Sequence, residues 1–146
     1  LRLLAVRART RRELHERLMR RGLSDVAVEA ALARLDAWGY LDDAAFARQW
    51  IDDRTRHRPR GERLLREELR RHGVSDSLAA EVVAAADIDE VAAAVELARR
   101  RLPRLHGLDP DVRRRRLAAF LQRRGYDWDT VRTALDAVLG DTGDDA

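Results

Sequence analysis

One helical pattern occurs three times along this chain of 146 residues. In each copy a glycine ends a helix, leucines stand four and eight residues before it, and a helix-capping side chain stands two residues after it. The glycines are Gly22, Gly73 and Gly125, at intervals of 51 and 52 residues. A repeat of this length is typical of arrays of small helical units.

The helix after each glycine carries the same apolar stripe. Positions 6, 9, 10 and 13 after the glycine are apolar in every copy, which is the spacing of one helix face. They are Val28, Ala31, Leu32 and Leu35, then Ala79, Val82, Val83 and Ala86, then Val131, Ala134, Leu135 and Val138. We therefore predict an all-α fold of three tandem three-helix repeats. Because each trio of helices is too small to stand alone, the repeats are expected to form an elongated, curved helical array.

The repeats are predicted to span residues 1–40, 41–88 and 89–140, followed by a disordered acidic tail at 141–146. A helix is expected within residues 1–8, and because Leu1 stands in place of a start methionine we expect a trimmed upstream segment. The predicted helix starts are Thr10 with Glu13 as a capping box, Ser24 or Asp25, Asp42 or Asp43, Ser75, Asp89, Asp109 before Pro110, and Asp127.

The first helix of the second and third repeats also has an apolar face. In the second repeat Phe46 and Trp50 share that face, and Trp50 is expected to be buried against Phe46 and against Leu65 or Leu69. In the third repeat the predicted buried positions are Val91, Ala94, Val95, Ala98 and Leu102.

Composition limits the cellular setting. Aromatic residues are only 5% of the chain and charged residues 38%, so the core must consist mainly of leucine, valine and alanine. No stretch approaches the roughly 18 consecutive apolar residues of a membrane span. Cysteine is absent, which excludes disulfides and thiolate metal sites and fits a reducing cytosol. We predict a cytoplasmic protein without a membrane partner.

Catalytic motifs are missing from the sequence. The four histidines, His15, His57, His72 and His106, are scattered and lack metal-ligand spacing. There is no nucleophile elbow and no glycine-rich phosphate loop, and the acidic pair Asp42 and Asp43 is explained by helix capping. The sequence therefore predicts no enzyme, no cofactor and no metal.

All 29 basic residues other than histidine are arginine. This composition has two interpretations: the bias of a GC-rich genome, or a surface for phosphates or carboxylates, which suit the guanidinium group. Arginine stands ten and two residues before the glycine in all three repeats, on the solvent side of the second helix. The helix dipole favours cations in the last turn, but it does not explain those in the first turn.

We therefore predict a basic surface that binds phosphates or an acidic protein groove. In the second repeat Arg63, Arg66 and Arg70 follow the spacing i, i+3, i+7. They therefore share the helix face opposite the buried leucines Leu65 and Leu69. The candidate residues are Arg12, Arg20, Arg63, Arg66, Arg70, Arg71, Arg115 and Arg123.

Helix–turn–helix DNA binding is an alternative, because each glycine joins two helices through a short turn. The helix after the turn would then enter the major groove. Phosphates would repel the acids at its exposed positions, and this argues against the alternative. These acids are Glu29, Asp36, Glu81, Asp129 and Asp136; the basic exceptions are Arg34 and Arg132.

The second repeat resembles the signature of the RecX family, bacterial regulators of the RecA recombinase. The similarity lies in GYLDDAAFARQW, in the arginine-rich break containing Gly61, and in EELRRHGV, which ends at Val74. The flanking segments RTRRELHERLMRRG and LQRRGYDWDTV extend it over nearly all of residues 1–140. The matching motif residues are Gly39, Tyr40, Asp42, Asp43, Phe46, Ala47, Trp50, Gly61, Leu69 and Gly73.

The array of three repeats is expected to be a monomer. The resemblance implies a non-enzymatic modulator of DNA repair, homologous recombination and the SOS response. A family member is expected to lie along the groove of the RecA filament on single-stranded DNA. It is expected to inhibit, for the most part, the ATPase, recombinase and coprotease activities of RecA. The resemblance also implies weak, non-specific DNA binding by the chain alone and no cofactor.

Overall fold

A computed structural model describes residues 9–38 and 41–140, which form eight α-helices and no strand. The helices are α1 Arg11–Arg20, α2 Asp25–Ala37, α3 Asp43–His57, α4 Glu62–Arg71, α5 Asp76–Ala85, α6 Glu90–Arg101, α7 Pro110–Arg123 and α8 Trp128–Leu139; a 3-10 turn, Leu102–Leu105, separates α6 from α7. The predicted all-α fold is confirmed. The helix expected within residues 1–8, the stop at Gly39 with Tyr40, and the tail at 141–146 lie outside the described residues.

Most of the helices begin where the sequence places a cap. Thr10 Oγ1 accepts a hydrogen bond from Glu13 N at 3.2 Å, and Asp127 Oδ1 accepts one from Thr130 N at 2.8 Å. Ser24 caps α2 and Asp42 caps α3, which settles the two alternatives left open by the sequence. The remaining side-chain caps are Ser75 for α5 and Asp89 for α6, while α7 has Pro110 at its first position.

The chain forms two compact units, and each contains parts of more than one predicted repeat. The first consists of Leu1–Asp52 with Arg66–Ala86, and the second of Asp53–Leu65 with Asp87–Ala146. The predicted repeat limits at residues 40 and 88 stay predictions.

Each unit has its own leucine-rich core. In the first unit a cluster forms around Leu14, Val28 and Leu32. In the second unit α6, α7 and α8 bury the predicted stripe of α8 together with the leucine pair of α7; the fully enclosed residues include Leu117, Leu121, Val131, Ala134 and Leu135. The apolar positions counted from the three glycines are therefore buried or half-buried in every repeat, with the exception of Ala86.

Two predicted core positions are exposed in the structure, and several others, Trp50 among them, are only half-buried. Ala86 is exposed because α5 ends at Ala85 and Ala86 is its C-cap, beyond the buried face of the helix. Val91 is 39% exposed because it lies in the first turn of α6, and Leu97 is buried further along that helix. Trp50 is half-buried rather than enclosed.

Candidate functional site

In each compact unit the N-terminal end of one helix packs on the glycine that ends another. We call this contact a joint: the first joins the start of α1 to Gly73, and the second joins the start of α4 to Gly125. In the first joint, Thr10 Oγ1 donates a hydrogen bond to His72 O. A Cβ atom on Gly73 would lie 2.6 Å from Arg12 Cβ, so only glycine permits this approach.

The second joint repeats this arrangement with different residues. Gly61 stands twelve residues before Gly73, as Thr10 stands twelve before Gly22. The backbone N of Gly61 donates to Arg124 O at 2.7 Å. A Cβ atom on Gly125 would collide with Leu64.

A carboxylate from the following repeat completes each joint. Asp43 Oδ1 accepts a hydrogen bond from Arg11 N at 3.2 Å, and Glu90 Oε1 accepts one from Glu62 N at 2.6 Å. Arg11 and Glu62 are the first residues of α1 and α4, whose backbone N–H groups have no partner within their own helix. The adjacent acids Asp42 and Asp43 therefore have separate tasks, since Asp42 caps its own helix and Asp43 caps α1.

The joints also bring candidate arginines together. Arg12 Nη2 donates to Arg71 O at 3.4 Å, and Arg63 Nη2 donates to Gln122 O at 3.1 Å, next to Arg123. Each joint thus places the first-turn arginine of one repeat beside the last-turn arginine of the next. The sequence pattern identifies both sets, but their pairing depends on contacts between repeats, which spacing alone does not specify.

The eight candidate arginines are all exposed, as predicted. Four are engaged by side chains or backbone of their own repeat: Arg12 Nε lies 3.5 Å from Glu16 Oε1, Arg20 Nε 3.4 Å from Glu16 O, Arg70 Nε 3.5 Å from Asp76 Oδ1, and Arg71 Nη2 2.6 Å from Glu67 Oε1. Among residues 9–38 and 41–140, no side chain pairs with Arg66, Arg115 or Arg123. These three guanidinium groups are therefore available to an anionic partner.

The helices that would read DNA in the helix–turn–helix alternative carry acids bound to arginine. Glu29 on α2 lies 3.2 Å from Arg11, and Asp136 on α8 lies 2.9 Å from Arg114. Arg132, one of the two basic exceptions, lies 3.3 Å from Asp129. These ion pairs further reduce the positive charge that α8 could offer to a phosphate backbone.

At the first joint the side chain of His72 contacts one carboxylate and two aromatic rings, an arrangement that the sequence did not identify. His72 Nδ1 is 2.8 Å from Glu13 Oε1, and its ring centroid lies 4.4 Å from that of Trp50 and 5.6 Å from that of Phe46. Glu13, which the sequence predicts to form a capping box with Thr10, contacts the ring of His72. The backbone carbonyl of His72 accepts the hydrogen bond from the Thr10 hydroxyl. These side-chain contacts position that carbonyl at the joint.

The described residues offer no sign of metal binding or of a membrane span. Across 9–38 and 41–140, no three histidine, aspartate or glutamate side chains come together as metal ligands. No helix in those ranges is both long and apolar enough to cross a bilayer.

Comparison with known proteins identifies the family. Three RecX family models match in succession: the first three-helix domain over residues 1–35, the second over 42–83 and the third over 87–135. Proteins named "Regulatory protein RecX" are similar over most of their length. The one from Prosthecochloris aestuarii is 41% identical over 136 residues, 93% of this chain and 88% of the relative. The one from Mycobacterium avium is 44% identical over 143 residues, 97% and 81% respectively.

Solved structures show the same fold at low sequence identity. The crystal structure of RecX from Lactobacillus salivarius superposes with a TM-score of 0.85 at 18% identity, covering 94% of this chain and 90% of that chain. A crystal structure described as regulatory protein RecX gives a TM-score of 0.83 at 19% identity, covering 92% and 66%. The succession of three matched domains shows that this chain belongs to the RecX family.

Proposed function

We propose that this chain regulates the RecA recombinase by binding the RecA filament on single-stranded DNA. The observation that carries the proposal is the match to all three RecX domains in order along the chain. In this proposal the chain mostly inhibits the ATPase, recombinase and coprotease activities of RecA. It acts as a cytoplasmic monomer, by binding and not by catalysis, and without a cofactor.

The arginines at the joints support binding to an anionic surface. A guanidinium has five N–H donors, and the bonds from Arg12 to Arg71 O and from Arg63 to Gln122 O each use one of its nitrogens. Arg12 Nε also lies 3.5 Å from Glu16 Oε1, whereas Arg63 is exposed and has no carboxylate partner among the described residues. The remaining donors of Arg63 can therefore bind two phosphate or carboxylate oxygens at once. Because the backbone contact already restrains the side chain, a partner has less rotamer freedom to immobilise.

RecA ATP hydrolysis that depends on single-stranded DNA is the direct test. We expect the chain to inhibit hydrolysis at ratios well below one chain per RecA. The variant R66E/R115E/R123E should remain folded, because none of these side chains has a partner in the described part of the chain, and it should lose inhibition.

A control variant carries the same change in charge on other exposed arginines. Arg34, Arg48 and Arg58 are exposed and lie outside the candidate surface, so R34E/R48E/R58E should inhibit RecA like the parent. Equal inhibition by all three proteins would remove the arginine surface from the mechanism. If the parent instead has no effect on RecA and binds particular duplex sites through Arg34 and Arg132, the helix–turn–helix alternative replaces this proposal.

A further inference from the structure

A small pocket in the second compact unit is lined by arginines and one aromatic ring. It has a volume of about 200 Å³ and lies between the last turns of α6 and α7 and the 3-10 turn. Its lining residues are Leu97, Arg100, Arg101, Arg104, Phe120 and Arg124. The sequence pattern singles out none of these, because they come from three elements whose approach depends on the fold.

Phe120 orients two of the guanidinium groups. The Cζ atom of Arg101 lies over the ring at 4.9 Å from its centroid, and that of Arg124 at 5.4 Å. A guanidinium stacked on an aromatic face keeps its N–H edge available for hydrogen bonds. The backbone of Arg124 is also fixed, because its carbonyl accepts the hydrogen bond from Gly61 in the second joint. The donors are therefore held in place before any ligand arrives.

The charge of the pocket is not balanced by neighbouring acids. Arg100 Nε lies 3.1 Å from Glu96 Oε1, so its charge is compensated. No carboxylate within the described ranges pairs with Arg101, Arg104 or Arg124. Three cations held around one cavity repel each other and attract an anion.

We propose that this pocket binds a phosphate of single-stranded nucleic acid. Its volume is below the roughly 300–1,000 Å³ of sites for drug-sized ligands, so it accommodates one phosphate group and not a whole nucleotide. Several guanidiniums can share the non-bridging oxygens of one phosphate, whereas a single arginine satisfies a carboxylate. A flexible strand can turn a phosphate into this recess and place a sugar or base on the apolar edge formed by Leu97 and Phe120.

Binding of a labelled oligothymidylate to the purified chain, followed by fluorescence anisotropy, tests the proposal. R101Q/R104Q should bind roughly tenfold more weakly, since charged hydrogen bonds are lost. The slope of log affinity against log salt should fall by about 0.7 for each phosphate contact removed. R48Q/R58Q removes the same charge from exposed positions that do not line the pocket and should bind like the parent.

A second variant tests whether binding depends on the oriented arginines of the pocket or only on the net positive charge of the chain. F120L keeps every arginine but removes the ring that orients two of them, so binding should weaken by roughly threefold. Circular dichroism and melting confirm that each variant is folded. Unchanged binding by F120L, or equal losses in R101Q/R104Q and R48Q/R58Q, would overturn the proposal.

Competition experiments show whether the pocket prefers single-stranded nucleic acid to other anions. Unlabelled oligothymidylate should displace the probe far better than oligoglutamate of equal charge or inorganic phosphate. Equal competition by oligoglutamate would identify an acidic peptide as the ligand, and tighter binding of duplex DNA would also contradict the proposal. The measurement contains no RecA, so its failure and the failure of the proposed regulatory function are separate results.

Discussion

Tyr126 is enclosed in the core of the second unit with its hydroxyl unpaired. Only 2% of the residue is exposed, and no partner for the hydroxyl lies among residues 9–38 and 41–140. Burial, followed by the negative charge of Glu90, raises the pKa of the phenol to about 12. Position 126 immediately follows the joint glycine, and the equivalent Val74 is also buried, so this position requires an apolar body and not a hydroxyl.

We expect Tyr126→Phe to raise the free energy of unfolding by roughly 0.5–1 kcal/mol, because it removes a buried polar group that has no hydrogen bond. The pH dependence gives a second readout. Below pH 10 the phenol is protonated in both states. Between pH 10 and about 12 the unfolded chain loses the proton while the folded chain keeps it, so the parent loses stability as pH rises through this window.

Denaturant unfolding of both proteins at pH 8 and at several values from pH 10 to pH 12 measures these effects. The stability advantage of the phenylalanine variant should grow over that range. A constant difference would show that the phenol ionises with an ordinary pKa, and a destabilised variant would show that the hydroxyl has a partner.

Trp50 is only half-buried, and it packs on side chains from its own unit. Its ring lies 6.0 Å from Phe46 and 4.4 Å from His72, centroid to centroid. Trp50→Ala should therefore cost about 2–3 kcal/mol, less than the roughly 3–5 kcal/mol of a fully enclosed aromatic. Chemical denaturation measures the loss. A change below about 0.5 kcal/mol would assign Trp50 to a contact surface and not to the core.

For single residues, the sequence predicts interactions with the nearby backbone well and contacts with distant residues poorly. The caps at Thr10, Ser24 and Asp127 are confirmed because a cap bonds to the backbone within three residues of itself. His72 gives no such local signal, because its partners Glu13 and Trp50 are far away in the sequence. The second role of Asp43 is invisible in the sequence for the same reason.

At the scale of helices, the joints explain why glycine ends α4 and α7. Gly73 and Gly125 have φ of +98° and +91°, a conformation that side chains rarely adopt. Gly22 has φ of +84°, but a Cβ atom added there would meet no described atom within 4 Å. The three glycines therefore share a backbone conformation, while within residues 9–38 and 41–140 another helix packs only on Gly73 and Gly125.

We expect Gly125→Ala to destabilise the protein more than Gly22→Ala does. The Gly22 substitution should cost roughly 1–2 kcal/mol from the left-handed backbone alone. At Gly125 the methyl group also meets Leu64, whose backbone N would lie 3.0 Å away, and such overpacking adds about 1–3 kcal/mol. Thermal or chemical unfolding of the two variants compares them directly.

Gly22→Ala is the internal control, because both variants change the same residue type in the same backbone conformation. Equal losses at the two positions would mean that α4 moves away from Gly125 at no cost and that the joint contributes little. The glycines themselves were predictable from their spacing. The joint was not, because a helix-ending glycine looks the same in sequence whether or not another helix packs on it.

At the scale of the whole molecule, the arginines fall into two groups with different chemistry. The exposed candidates Arg66, Arg115 and Arg123 lie on second helices, which the sequence pattern identified. Arg101 and Arg124 converge on Phe120 in a pocket that only the fold creates. In the first group, Arg115 and Arg123 have arginines at the equivalent positions of the other repeats and were therefore predictable, whereas Arg101 and Phe120 are not repeated at the equivalent positions of the second repeat and leave no periodic pattern.

Salt should separate specific anion pairing from a general effect of charge on RecA. If exposed arginines pair with phosphates or carboxylates, inhibition of RecA by the parent should weaken as salt rises, because screening and counterion competition oppose such contacts. R66E/R115E/R123E should inhibit weakly at low salt and show little further dependence. R34E/R48E/R58E should follow the parent at every concentration, although its net charge equals that of the first variant.

ATP hydrolysis measured across a salt series, with each rate divided by that of RecA alone at the same salt, checks this expectation. The division removes the direct effect of salt on RecA. Parallel curves for the two triple variants would show that net charge and not position controls inhibition. A parent curve independent of salt would indicate that the interface is apolar, and the exposed residues Leu23, Val26 and Trp38 would then become the first positions to substitute, since each is more than 40% exposed.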